Sequence, residues 1–284
     1  MKTSALITVY NRPEMAAACL RALALGSVLV DEAVVSDDGS EGQCVRKMQE
    51  VFSELPFPVR YVRQEHAGYR LAAARNNAIR AATGDYLISI DGDMLLMPDA
   101  VSAHLERARP GVFLAGSRAL LGGEATRRAL EGSLDRDALE ALWEGADKRH
   151  LARDDFRFRR NLFLRRLGLA SAHKPKILGC HFSLFRADAE KVNGFDEHFA
   201  GWGLEDDDFA RRLYLAGVRG RAVIKSARAL HLQHASVASK PAKIGESPNM
   251  AYFSRRDVPF YCAEGLNKAG RAFGVSGPVS GAAP

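Results

Sequence analysis

The sequence predicts a mixed α/β fold around a mostly parallel sheet, and three observations predict it. Short, almost uninterrupted apolar runs alternate with helical patterns through the first 116 residues, the pattern of strands covered on both faces. Each run ends in a polar cluster, and open sheets of this kind bind ligands outside the carboxyl ends of their strands. The 284 residues are 47% hydrophobic, enough for a substantial core.

Taken in order, SALITVY (4–10) reads as the first strand and is followed by a helix over 14–25. EAVVS (32–36) is the second strand, with a helix over 42–52 behind it, and VRYVRQ (59–64) is the third, with a helix over 71–82. YLISID (86–91), a helix over 99–109 and VFLAG (112–116) complete a Rossmann-like half. A helical stretch rich in Ala, Leu and charge fills 124–169, then comes a strand-like KILGCHFSLF (176–185). A short helix, an acidic helix opening at 205, RAVI (221–224) and ALHLQH (229–234) follow. No composition break marks a linker before about residue 236. Residues 1–235 are therefore expected to form one interlocked domain, with halves 1–116 and 117–235, and 236–284 to be a tail of loop, short helices and a frayed end.

No run of about 18 apolar residues occurs, and the N-terminus enters a strand-like run, not a charged-then-apolar leader. A cytoplasmic location is the expectation. Cys19, Cys44, Cys180 and Cys262 lack metal-ligand spacing and read as reduced thiols. The net charge of +6 favours an anionic partner, but no basic arm or tail is present to point to nucleic acid. Instead, residues 148–168 hold eight Lys/Arg against two acids. At helical spacing Arg149, Arg153, Arg157 and Arg160 share one face, with Leu151, Phe158 and Leu162 opposite. This helix either meets an anionic membrane surface, peripherally, or packs on the domain with a solvated basic face; Phe156, Phe163 and Leu164 blur the pattern.

Four constellations carry chemistry. SIDGD places Asp91 and Asp93 at the end of a buried strand; continued straight, both would share a face, and Gly92 lets a phosphate approach the backbone. Paired carboxylates suit a hard divalent cation shared with a diphosphate. VSDDGS ends another strand with Asp37 and Asp38, able to accept from a nucleobase imide or ribose hydroxyls. In HAGYRLAAARNNAIR, Arg75 is the expected phosphate or base contact and Arg80 a solvated helix position. GWGLEDDDF puts four acids side by side at a helix start, more than the helix dipole needs, so at least one should have a cationic or proton-bearing partner elsewhere. HLQH adds His231 and His234.

The order TVYNRP, SDDGS, GYRLAAARNNAIRAATGDYLISIDGD, NGFDEHFAGWGLEDDDFARRL and HLQH resembles family 2 glycosyltransferases of GT-A fold, from about residue 4 to 234. The second half is similar to a galactosyltransferase-type acceptor region, and the first to the catalytic domains of bacterial chondroitin-type polymerases. The resemblance implies a nucleotide-sugar pocket lined by Thr8, Tyr10, Asn11, Arg12, Asp38 and Tyr69, with Asp37 facing the uracil. Asp91, Gly92 and Asp93 would form the metal–diphosphate motif, with Mn²⁺ or Mg²⁺ also held by His234 or, less favoured, His231. Trp202 would wall a sugar ring, Glu205 and Asp207 would meet the acceptor, and Asp206 would be the general base. The implied reaction is an inverting transfer from a UDP-sugar to a glycan or lipid-linked acceptor, in bacterial surface polysaccharide or lipopolysaccharide synthesis. Two rivals fit less of the chain. A sugar nucleotidyltransferase would want a Gly-rich basic loop where TVYNRPEM stands, and a basic membrane or nucleic-acid module leaves the acids unexplained.

Overall fold

Alternation along the strands builds two cores at once. Ala5, Ile7 and Val9 of β1 (Thr3–Val9) pack into one buried cluster, while Leu6 between them enters another. The same split occurs in β2 (Glu32–Asp37), where Ala33 and Val35 face one way and Val34 the other. The apolar runs are near-continuous because both faces are covered. α1 (Pro13–Ala24) covers the first face with Ala16, Cys19, Leu20 and Leu23.

The computed structural model describes residues 1–236 and 240–268. In chain order the next elements are α2 (Gly42–Gln49), β3 (Val59–Arg63), α3 (Leu71–Ala81), β4 (Tyr86–Asp91), β5 (Met94–Leu96), α4 (Ala100–Arg107), β6 (Val112–Ala115) and β7 (Ala119–Leu120). The predicted helical stretch 124–169 is three helices, α5 (Gly123–Glu131), α6 (Arg136–Gly145) and α7 (Leu151–Arg166). Asp135 caps α6 by accepting from the Ala138 N–H at 2.8 Å, which ends the run on a local signal. β8 (His181–Phe185), α8 (Arg186–Lys191), α9 (Glu205–Leu215), β9 (Arg219–Ala222), β10 (Ala229–His231) and α10 (Met250–Phe253) complete the series.

The main sheet has seven strands in the order β3-β2-β1-β4-β8-β6-β9. Strands from 1–116 and from 117–235 therefore share one sheet. It is mostly parallel, but β8 runs antiparallel to both β4 and β6. A smaller sheet, β5-β10-β7, stands beside it and brings His231 opposite Met94, next to Asp93. The short β5 and β7 were not expected from the sequence.

The described part of the tail is packed, not loose. Ser247 Oγ donates to the Trp202 carbonyl at 3.1 Å, Asn249 Nδ2 to the Gly203 carbonyl at 2.9 Å, and Tyr252 Oη to Asp196 at 2.8 Å. Arg80, expected on a solvated face, instead pairs with Glu197 and donates to the Leu266 carbonyl. The frayed end lies outside the described residues. Among these, no helix is long and apolar enough to cross a membrane.

Candidate active site

The carboxyl ends of β1, β2 and β4 open into two adjoining cavities. The first, about 690 Å³, is lined by Thr8, Tyr10, Asn11, Arg12 and Asp38. Asp91, Gly92, Asp93, His231 and His234 line it as well. The second, about 620 Å³, is lined by Arg75, Lys174, Lys176, Glu205, Asp206 and Asp207. Tyr69, Leu71, Asp91, Arg118, Cys180 and Trp202 belong to both, so the cavities meet there.

In the first cavity Tyr10 stacks on His66 with centroids 4.5 Å apart, giving a flat aromatic wall. Thr8 Oγ1 donates to Asp91 at 3.1 Å, and the Gly92 N–H donates to the Thr8 carbonyl at 2.9 Å. Asn11 uses its side-chain carbonyl on the Glu41 N–H at 2.8 Å. Asp37, expected to face a uracil, does not line this cavity. It is fully buried, accepting from Ser40 N–H and Oγ at 2.8 and 2.6 Å and from Tyr61 Oη at 2.5 Å. The pleat turns the second aspartate, Asp38, to the cavity instead.

Asp91 and Asp93 do not share one ligand cluster. β4 ends at Asp91 and the chain turns at Gly92, so the straight continuation does not hold. Asp91 is drawn to Arg75 at 3.2 Å. Asp93 joins His231 and His234, whose ligand atoms all lie within 4.8 Å of one another. His234 Nδ1 is 2.7 Å from the Ala235 carbonyl, which can only accept, so the hydrogen of a neutral ring sits on Nδ1. Nε2 then turns a lone pair toward Asp93, 2.8 Å away. That Nε2 and Asp93 Oδ1 are both buried without a hydrogen-bond donor. Lone pairs converging on one point from a carboxylate and two imidazoles fit a divalent cation. Burial works against the charge on Asp93, but when His234 Nε2 instead carries a proton its hydrogen bond, with the charges of His231, His234 and Arg12, outweighs burial and holds the carboxyl below its usual range.

The four adjacent acids open α9 behind a Gly-Trp-Gly-Leu turn. Gly201, Gly203 and Leu204 all have positive φ, of 80°, 95° and 77°, which the two glycines adopt without cost and Leu204 does not. Three of the acids have cations. Glu205 pairs with Arg75 at 3.1 Å, Asp207 lies 3.9 and 3.7 Å from Lys174 and Lys176, and buried Asp208 meets Arg212 at 2.6 Å. Asp206 makes no ion pair among the described residues; its Oδ2 accepts from the Gly179 N–H at 3.1 Å and its Oδ1 from the Asp207 N–H at 2.8 Å. Burial, then the charge of Asp206, pushes Glu205 up to about 7 against the pull of Arg75. The same two causes push Asp207 up to about 6 against Lys176 and Lys174.

The glycosyl transferase family 2 model matches residues 4–191, and the N-terminal domain of galactosyltransferase model matches 168–235. The chain belongs to glycosyl transferase family 2. It is 29% identical to the chondroitin synthase of Escherichia coli over 238 residues, 80% of this chain and 34% of that protein. It is 31% identical to the validoxylamine A glucosyltransferase of Streptomyces hygroscopicus subsp. jinggangensis over 242 residues, 76% of this chain and 52% of that one. The chain thus spans about a third to a half of these relatives. Its fold matches a GalNAc transferase crystallised with UDP, GalNAc and Mn²⁺ (TM-score 0.61, 14% identity, 89% of this chain, 47% of that one). It also matches the mannosyltransferase PcManGT of Pyrobaculum calidifontis in complex with GDP-Man and Mn²⁺ (TM-score 0.54, 19% identity, 81% and 56%). The fold is that of GT-A glycosyltransferases.

Several wall residues of this glycosyltransferase carried no sequence signal. Arg118, Lys174, Lys176 and Cys180 are single residues in loops or at a strand start, and Ile244, Met250 and Phe253 reach the second cavity from the tail. Arg75, expected to be open to phosphate, is buried between Asp91 and Glu205. Arg255 approaches Asp196 at 3.8 Å and does not line either cavity.

Proposed function

We propose that this glycosyltransferase moves a sugar, with inversion, from a UDP-sugar in the first cavity to a hydroxyl of a glycan or lipid-linked acceptor in the second. The observation that carries this reading is the position of Asp206. It lines the acceptor cavity and is the one acid of the four that makes no direct ion pair among the described residues; each of its oxygens accepts one backbone N–H and keeps a lone pair for a substrate proton.

Asp206 accepts the proton of the acceptor hydroxyl as that oxygen bonds to the anomeric carbon, and the bond to the UDP oxygen breaks on the opposite face. Direct displacement inverts the centre and needs no covalent intermediate. Glu205 and Asp207 orient the acceptor hydroxyls, and Trp202 offers an apolar wall to a sugar ring. Asp93, His231 and His234 would hold the divalent ion, which when bound neutralises charge on the leaving diphosphate. Relatives that include a chondroitin synthase of Escherichia coli and a hyaluronan synthase of Pasteurella multocida support a role in bacterial surface polysaccharide assembly. Two exposed phenylalanines on the basic face of α7 support peripheral contact with an anionic membrane.

The test is thermal unfolding with UDP. The melting temperature should rise well above that of the free protein with Mn²⁺ or Mg²⁺ present and far less with EDTA. Equal stabilisation in both would remove the metal from the reading, and no stabilisation in either would remove the donor.

A further inference from the structure

We infer that Arg118 is the cation that binds the diphosphate of the donor. This rests on the nucleotide-sugar reading above and assigns a residue that no motif marks.

The other cations on the cavity walls are committed, except Lys240, an exposed side chain whose Nζ stands over the Trp202 ring at 5.2 Å. Arg12 faces Asp93 at 3.5 Å, Arg75 is held by Asp91 and Glu205, and Lys174 and Lys176 share Asp207. Arg118 makes no ion pair among the described residues. Its Nη1 donates to the Cys180 sulfur at 3.0 Å, a weak acceptor, and its Nε is buried with no hydrogen-bond partner. Asp91 and Asp93 act on Arg118 only through space, so a guanidinium left with a thiol and an orphaned N–H has no hydrogen-bonded anion.

Its place tells which anion fits. Arg118 lines both cavities, at the junction that also contains Asp91 and Trp202. A nucleotide sugar that spans from Tyr10 to Trp202 must put its diphosphate between the nucleoside end and the sugar end. That is the junction, across from the Asp93 cluster. A fork of N–H donors suits phosphoryl oxygens, and the charge that grows on the leaving group as the glycosidic bond breaks strengthens the same contact.

The backbone that presents Arg118 is pinned on both sides. The His150 ring donates to the Arg118 carbonyl at 2.8 Å, and His181 Nδ1 donates to the Ser117 carbonyl at 2.9 Å. His181 is fixed in turn by His104 Nε2 at 2.9 Å, and His104 by Ser183 at 2.7 Å. Gly116 lies so close to the His181 ring that an added Cβ would stand 2.4 Å from Nδ1. A loop held by two imidazoles and a close-packed glycine sets its one charged side chain in a fixed direction.

Binding of UDP and of uridine, each with Mn²⁺, should be measured on the parental protein, Arg118→Met and Arg118→Lys. Arg118→Met should weaken UDP binding about ten- to hundred-fold, the loss of a charged hydrogen bond, while uridine binds as before. Arg118→Lys should recover part of the loss. Unchanged UDP affinity in Arg118→Met, or equal losses for UDP and uridine, would overturn the assignment. A parental protein that binds no UDP would overturn the donor reading and this assignment with it, and the parental measurement alone distinguishes that case.

Discussion

Asp206 is half-buried and makes no direct ion pair, unlike its three buried acidic neighbours, and the proposed role as general base turns on this. Asn in its place keeps the size and accepts from one of the two backbone N–H groups through its carbonyl, losing the other bond, and takes no proton. Asp206→Asn should therefore lower kcat by about 10²–10⁴-fold with UDP affinity near parental, read by steady-state kinetics and calorimetry. Near-parental kcat, with the loss moved to Asp207→Asn, would shift the base by one position. Much of the site is legible at this scale because carboxylates and histidines at strand ends have few structural uses. Asp37 shows the limit. Of two adjacent aspartates only the pleat decides which faces the ligand, and one strand position separates a buried hydrogen-bond acceptor from a cavity wall. Arg118 was invisible for another reason: a lone arginine in a loop carries no pattern until its partners are known to be missing.

At the scale of elements, α7 answers the question its sequence left open, but not in either expected form. Phe158 is buried and Leu151 and Leu162 are half-buried, so the helix does pack on the domain. Its outer face is basic, with Arg153, Arg157 and Arg160 exposed, yet Phe156 and Phe163 stand on that face 64% and 60% exposed. Leu167 and Leu169 continue it past the helix end. Arginines interleaved with aromatic rings suit the headgroup region of an anionic bilayer, where rings enter and guanidinium groups stay with the phosphates. Changing Phe156 and Phe163 to Ser should abolish co-sedimentation with anionic liposomes, and so should Arg153, Arg157 and Arg160 to Glu, while UDP binding stays unchanged. Parental protein that never sediments would sink the proposal. Helix and strand positions in the first half were legible within a few residues because strands and helices alternate with clear turn signals. β5 and β7 were not, since two- and three-residue strands have no periodicity to read.

For the molecule as a whole, the sequence pointed to a mostly parallel sheet, and only the reversal of β8 escaped it. Strand direction depends on where the chain re-enters the sheet after α7, which local pattern does not encode. Folding also buries acids, and this sets a pH dependence. Burial holds Glu205 at about 7, above its unfolded value, so the stability tied to its neutral form is present below pH 4–5 and is lost as pH rises through about 7. Glu205→Gln has no charge to lose. Its unfolding temperature, taken without ligand from pH 5 to pH 8, should fall less than that of the parent, while acceptor KM rises. Parallel pH profiles for the two proteins would contradict the buried-charge account.

Arg75 lines the second cavity and holds Asp91 with one arm and Glu205 with the other. Asp91 stands at the junction and borders both cavities, Glu205 only the second, so on the proposed reading the arginine touches a wall of the donor site and a wall of the acceptor site. A ligand that changes the charge around either carboxylate changes the pull on a guanidinium that the other also needs. On the proposed reading the two binding events are thermodynamically linked, and linkage is reciprocal: whatever factor the donor imposes on acceptor affinity, the acceptor returns on the donor. An ordered addition, with hydrolysis of the sugar nucleotide suppressed until an acceptor arrives, is the kinetic form such a shared arginine gives to a transferase.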